Sequence, residues 1–134
     1  MCGRYELKVN FEELPSLLKK DFPKRLEQKY SRQSLIKPYQ PVLVLKNEGK
    51  TSTSIMLWGF ISEWAKDPFL EGSVRPFNAR AETVGEKKLF KGSWRHKRCV
   101  LPASGFFEKG HRIRRKDSQP FWLAGIWNRW MSPE

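Results

Sequence analysis

The residue with the most chemistry available to it is a cysteine directly behind the initiator methionine, in Met1-Cys2-Gly3-Arg4-Tyr5. Trimming of Met1 would leave a thiol and a free α-amine on adjacent carbons of one residue. In unstructured peptides an α-amine titrates at ~7.7–8.0 and a cysteine thiol at ~8.5, so near neutral pH such a pair offers two nucleophiles at once. Its natural target is an aldehyde. The amine adds to the carbonyl and loses water to give a Schiff base, and the sulfur then closes a five-membered thiazolidine, a more durable product than the imine. The second cysteine, Cys99, lies in an apolar run and reads as an inert core thiol. Neither cysteine sits in a Cys-x-x-Cys or Cys/His pattern, so no metal and no cofactor is expected.

The charge points to a partner class. The chain has 134 residues with 26 basic and 14 acidic side chains, a formal net charge of +12 that attracts a polyanion. The excess is uneven: residues 1–85 carry +4, residues 86–116 carry +9 and residues 117–134 carry −1. Within the basic stretch Lys87, Lys88, Lys91, Arg95, Lys97 and Arg98 are interleaved with Phe90 and Trp94, and Arg112, Arg114, Arg115 and Lys116 form a second cluster. Cations beside flat rings are the ingredients of a single-strand groove, in which bases stack and the backbone is neutralised. A ring-opened abasic sugar is an aldehyde embedded in such a polyanion, so charge and nucleophile can serve one substrate. The six Trp and nine Phe are too much ring surface for a disordered basic tail. No apolar run approaches the roughly 18 residues of a membrane span, and the start lacks the apolar core of a signal peptide. With two cysteines only, the setting expected is reducing and cytoplasmic, nucleoid-associated in a bacterium.

The elements that must position these residues follow from periodicity and turn chemistry. Residues 2–7 read as a short strand. A helix is expected from Phe11, because Asn10 and Glu13 have capping-box spacing and Phe11, Leu14, Leu17 and Leu18 share one helical face. Residues 41–46 and 53–60 flank a turn at Asn47-Glu48-Gly49 and predict a hairpin. Residues 83–91 predict a short helix, followed by strands at 98–101 and 105–108 broken by Pro102. A last hairpin is expected through 111–115 and 120–126, turning at Lys116-Asp117-Ser118. The expected architecture is one α+β domain over residues 1–134, rich in β, with mixed or antiparallel sheets in a barrel-like core and a few short helices.

Four motifs occur in order: Met1-Cys2-Gly3-Arg4-Tyr5, Trp58-Gly59-Phe60-Ile61-Ser62-Glu63-Trp64-Ala65-Lys66, Asn78-Ala79-Arg80-Ala81-Glu82-Thr83, and Arg98-Cys99-Val100-Leu101-Pro102-Ala103-Ser104-Gly105-Phe106-Phe107-Glu108. Together they resemble the SRAP family, the SOS response-associated peptidases that process abasic sites, and the likeness extends through Ala124-Gly125-Ile126-Trp127-Asn128-Arg129-Trp130. The resemblance implies self-processing that removes Met1, after which Cys2 crosslinks to abasic sites in single-stranded DNA through a thiazolidine that shields the lesion from strand cleavage. It implies that Asn78 orients the amine and the opened sugar, and that Glu108 shuttles protons as the hemiaminal dehydrates and the ring closes. By the same resemblance Arg4 and Arg80 hold the phosphates flanking the lesion and Trp64 stacks on or wedges beside a base; Arg98, from the basic stretch, is a further expected DNA-binding residue.

The pattern is also departed from. Family members continue into a block with a histidine followed by Arg-Met-Pro, which this sequence lacks. His96 and His111 match no family motif and read as surface residues. The shortened pattern leaves room for self-association or for a separately encoded C-terminal half. The family's Asn-x-Ala-Pro segment appears as Leu35-Ile36-Lys37-Pro38, the Trp usual after the motif glutamate is Lys109, and residues 109–118 look shortened. Two competing functions stay open on sequence: an N-terminal-nucleophile amidotransferase-like hydrolase, and a noncatalytic single-strand binding module.

Overall fold

The computed structural model describes residues 2–73 and 75–133. In chain order the strands are β1 (Arg4–Leu7), β2 (Gln33–Ile36), β3 (Pro41–Glu48), β4 (Lys50–Leu57), β5 (Arg98–Ala103), β6 (Gly105–Glu108), β7 (His111–Ile113) and β8 (Phe121–Ile126). Three short helices accompany them, α1 (Ser16–Lys20), α2 (Lys24–Glu27) and α3 (Lys91–His96). The strands form two four-stranded antiparallel sheets, ordered β2-β1-β6-β7 and β4-β3-β5-β8. The α+β, β-rich class therefore stands. The sheets pack as two layers and do not close into a barrel.

Tyr5 and Leu7 from one sheet and Val42, Val44 and Ala103 from the other meet in a common core, joined by Ile36, Leu45 and by Leu14 and Leu18 below them. The chain crosses between sheets at Ser104, where β5 becomes β6. Its amide donates to the Glu6 carbonyl at 2.9 Å and its hydroxyl accepts from the Lys8 amide at 2.8 Å, so the crossover is sewn to the far end of β1. α1 is held against β4 by the buried Thr53 hydroxyl, which donates to the Leu18 carbonyl at 2.7 Å.

Several local expectations change in three dimensions. The helix expected from Phe11 is a 3-10 turn over Phe11–Glu13 followed by α1; Pro15 has no N–H to extend the first turn and restarts the helix as its cap. The capping contact survives, with the Asn10 amide donating to Glu13 Oε1 at 2.9 Å, but Leu17 points to solvent while Leu14 and Leu18 are buried. Residues 83–91 form successive single turns, with amides of 84, 87 and 91 bonded four residues back, and the helix proper is α3. The β-branched Thr83 and Val84 and the following Gly85 are poor helix formers, which accounts for the interruption. β5 runs through Pro102 to Ala103: pairing to β3 stops at Val100, so on that side the missing N–H removes no ladder bond.

The terminal hairpin is the largest revision. β7 turns back on β6 across Lys109-Gly110, both at positive φ (50° and 78°), which is the two-residue turn that matches strand twist. β8 instead pairs with β5 in the other sheet. The hairpin expected from 41–46 and 53–60 forms with shifted bounds, 41–48 paired with 50–57 about Gly49 at φ 77°, so residues 58–60 lie beyond its second strand.

β1 carries a fully buried carboxylate. Glu6 Oε1 accepts from Arg112 Nε at 3.0 Å, from Arg112 Nη2 and from the Ser104 hydroxyl at 3.3 Å, and Lys8 Nζ lies 3.5 Å from Oε2. Burial alone would raise the Glu6 pKa; the hydrogen bond and charge of Arg112, with Lys8, outweigh it and hold the carboxyl below its usual range. A depressed folded-state pKa gives stability that is complete above the ordinary carboxylate pKa and is lost as pH falls through the folded one. Because Arg112 reaches solvent, removing the carboxylate charge leaves no buried charge unpaired, and the cost is that of a charged hydrogen bond. Glu6→Gln is expected to cost about 2 kcal/mol at neutral pH in chemical denaturation. The gap to the unsubstituted protein should narrow as the pH is lowered below about 4, the region of the free glutamic acid.

Candidate functional site

The register of the β1–β6 ladder decides what surrounds Cys2. Arg4 pairs with Phe107 and Tyr5 with Phe106, so one step further along the same register sets Gly3 opposite Glu108. Cys2 and Glu108 thus lie at the same end of one ladder. Cys2 itself is half-buried, packs against the core and donates its thiol to the Arg4 carbonyl at 3.0 Å. Met1, on whose removal the expected chemistry turns, lies outside the described residues.

Asn78 reaches this end from a loop. Its Nδ2 donates to the Cys2 carbonyl at 2.6 Å, across 76 residues of sequence. The loop is fixed by three successive backbone carbonyls, each accepting one hydrogen bond: Arg75 from the Tyr39 hydroxyl at 2.9 Å, Pro76 from the Phe60 amide at 2.7 Å and Phe77 from the Trp58 indole at 2.7 Å. Tyr39 is in turn bonded by its amide to the Trp58 carbonyl at 2.6 Å. Gly59 sits between those anchors at φ 146°, and a Cβ there would fall 2.9 Å from the Tyr39 ring, so the Trp-Gly-Phe order is a packing requirement. The rings continue inward, Phe77 edge-on to Trp58 at 6.0 Å and Trp58 edge-on to Tyr5 at 5.5 Å. Burial and then the nearby Cys2 push the Tyr5 hydroxyl above its ordinary pKa, so it stays a neutral phenol beside the cysteine.

An open cleft of about 460 Å³ adjoins Cys2, lined by Gly3, Arg4, Lys37, Pro38, Phe107 and Lys109. The Arg4 guanidinium lies 5.7 Å over the Phe107 ring. Lys37 and Lys109, both at positions where the family pattern is departed from, line this cleft and make it cationic. Sequence reasoning missed their convergence, because they belong to different segments 72 positions apart in numbering.

The remaining expected site residues stand on other elements. Arg80 is exposed, with Glu82 4.0 Å away. Trp64 is 60% exposed under Lys88, whose Nζ is 5.6 Å from the ring centroid, so it is a surface ring and not core. Arg98 opens β5 in the second sheet, its guanidinium 5.2 Å over Trp94. Much of the second basic cluster is committed to structure: Arg112 binds Glu6, Arg115 binds Asp117 and Arg114 binds the Ser118 hydroxyl. The Arg115 hydrogen bonds hold the Asp117 carboxyl down at about 2. His96 and His111 are exposed, as expected, with His111 paired in register with Glu108. Among the described residues no His, Cys, Asp and Glu groups cluster as metal ligands, and no helix is long and apolar enough to cross a membrane.

A sequence profile of the SOS response associated peptidase (SRAP) family matches residues 1–134. The chain belongs to the SRAP family. Abasic site processing protein YoqW of Bacillus subtilis is 34% identical over 146 residues, covering all of this chain and 63% of that protein. Abasic site processing protein YedK of Escherichia coli is 27% identical over 137 residues, covering 94% of this chain and 59% of that one. This SRAP chain therefore spans about three fifths of the length of these relatives. A solved structure from Bacteroides thetaiotaomicron has the same fold, with a TM-score of 0.73 at 20% identity, covering 98% of this chain and 62% of that one.

The two thiols of this SRAP chain differ in environment. Burial pushes the Cys99 thiol up to about 11, where it is a poor nucleophile at neutral pH. Native alkylation at neutral pH followed by peptide mass mapping is expected to label Cys2 and spare Cys99 until the protein is denatured; comparable native labelling of Cys99 would contradict its burial.

Proposed function

We propose that this chain captures ring-opened abasic sites in single-stranded DNA as a covalent adduct of Cys2, after removal of Met1. The observation that carries this reading is the hydrogen bond that clamps Cys2 through Asn78 at the ladder end bearing Glu108, beside the cleft of Arg4, Lys37 and Lys109. The names of the relatives, abasic site processing proteins, support the same substrate.

The freed α-amine attacks the sugar aldehyde to give a hemiaminal. Glu108 delivers a proton to the departing hydroxyl, water leaves, and an imine remains. The Cys2 thiol rotates away from the Arg4 carbonyl, gives up its proton and adds to the imine carbon, while the nitrogen takes a proton to complete the thiazolidine. Amine, aldehyde and thiol are thereby converted to the ring plus one water, with no oxidant or reductant. Asn78 holds the backbone of the nucleophile so that little orientation is left to chance. Arg4, Lys37 and Lys109 meet the phosphates that flank the lesion, Arg80 and Arg98 extend that positive surface, and Trp64 offers a face for a base. A self-processing peptidase step at Met1 belongs to the same proposal.

Intact mass spectrometry tests it. The purified chain is expected to lack Met1 and, after incubation with an oligonucleotide holding one abasic site, to gain the mass of that strand less one water in a heat-stable adduct. Retention of Met1, or no adduct, would sink the reading; a noncatalytic binder would retain salt-sensitive affinity and give no adduct, and glutaminase activity would favour the hydrolase. Cys2→Ser is expected to abolish the adduct. Asn78→Ala should slow its formation about tenfold, the weight of one hydrogen bond, and Glu108→Gln about a hundredfold.

A further inference from the structure

The Ala124-Gly125-Ile126-Trp127-Asn128-Arg129-Trp130 motif takes no part in the chemistry at Cys2, yet its last four residues bind three other segments of the chain. The Trp127 amide donates to the Lys97 carbonyl at 2.9 Å, which carries the β5–β8 pairing one rung past Ile126. The side chains that follow alternate in what they reach. Arg129 goes to Glu48 in the β3–β4 hairpin, its Nη2 donating to Oε1 at 2.8 Å, and its guanidinium lies 5.0 Å over the Trp127 ring. Asn128 and Trp130 go to residues 61–65 instead. Asn128 Nδ2 donates to the Ile61 carbonyl at 3.0 Å, and Trp130 Nε1 donates to the Ala65 carbonyl at 2.6 Å. A period of two is what an extended segment gives.

The turn between those two carbonyls carries Trp64. Residues 61–65 belong to no helix or strand, and the turn is closed by the Ala65 amide donating to the Ser62 carbonyl at 3.2 Å. Lys97 ties it further to the sheet, because its Nζ donates both to Asn128 Oδ1 at 3.0 Å and to Glu63 Oε1 at 3.3 Å. The Asn128 amide is therefore used twice, as donor to the turn and as acceptor from Lys97. Trp130 is itself seated edge-on against Phe69 at 5.9 Å. The Trp64 ring is 60% exposed, so it has little packing of its own and takes its place from the backbone that bears it.

We propose that Asn128 and Trp130 are positioning residues, which hold the 61–65 turn so that the Trp64 ring meets a base of the bound strand at a set place and tilt. The inference rests on the reading of Trp64 as a stacking surface and adds to it the residues that decide where that surface stands. Neither Asn128 nor Trp130 has to touch DNA. Ring stacking is favourable over a narrow range of separation and tilt, so a turn released at one carbonyl loses part of that energy to ordering the ring as the strand binds.

A double-mutant cycle tests this, read by fluorescence anisotropy with a labelled undamaged single strand, which has no aldehyde and reports noncovalent binding alone. Trp64→Ala is expected to weaken binding about tenfold, the weight of one stacked base. Asn128→Ala is expected to weaken it about fivefold, and so is Trp130→Phe, which keeps a ring against Phe69 and removes only the indole donor. In the Trp64→Ala background each should change affinity less than about twofold. Amide hydrogen exchange should quicken across 61–65 in both variants and stay unchanged in β5 and β8. Wild-type affinity in both variants, unchanged exchange in the turn, or a loss that persists in full when Trp64 is already alanine would each overturn the proposal and leave the stacking reading standing. An undiminished affinity in Trp64→Ala itself would remove that reading and this proposal together.

Discussion

The β1–β6 ladder is the constraint on which the rest of the molecule depends. A residue near the start of a chain is ordinarily in a frayed segment, where it retains most of its backbone freedom. Here β1 lies inside its sheet, bonded on one side to β2 and on the other to β6. The buried Glu6, gripped by Arg112, Ser104 and Lys8, ties the same strand to the crossover between sheets and to β7. Gly105 makes room for that carboxylate, since a Cβ there would fall 2.8 Å from Glu6 Oε1. A charged network at Glu6, the third paired position of the ladder, is thus what holds residue 2 at a fixed place on the rim.

Around that rim the molecule divides its cations by partner. Arg112 and Arg115 are spent on internal carboxylates, while Arg129, Lys46 and Lys97 combine a carboxylate partner with a place over the Trp127 ring. Arg4, Arg75, Lys88 and Arg98 lie instead over aromatic rings, an arrangement that orients a guanidinium or ammonium without neutralising it. Cations supported only by rings keep their charge unneutralised, whereas carboxylate-paired ones have largely delivered theirs to the fold. Net charge alone does not distinguish the two groups.

Much of the scaffold was legible. Two runs flanking the Asn47-Glu48-Gly49 turn marked the β3–β4 hairpin, and the Asn10–Glu13 spacing marked a real capping contact. The failures share a cause. Leu17 fits the helical face on paper but turns outward because Pro15 restarts the helix, and residues 120–126 look like the partner of 111–115 but join β5 because the Lys109-Gly110 turn claims β7 first. In each case a local pattern was satisfied equally well by two arrangements, and packing chose between them.

By itself the sequence determined that a cysteine stands second, that the chain is strongly basic and ring-rich, and that four ordered motifs place it among the SRAP proteins. These are properties of composition and short-range order, which need no folded neighbour to exist. Only the tertiary structure decided that Asn78 clasps Cys2, that Lys37 and Lys109 line one cleft with Arg4, and that Asn128 and Trp130 hold the turn bearing Trp64. Such pairings are set by sheet register and by three carbonyls clipped from distant segments, and neither is encoded in the spacing of residues along the chain.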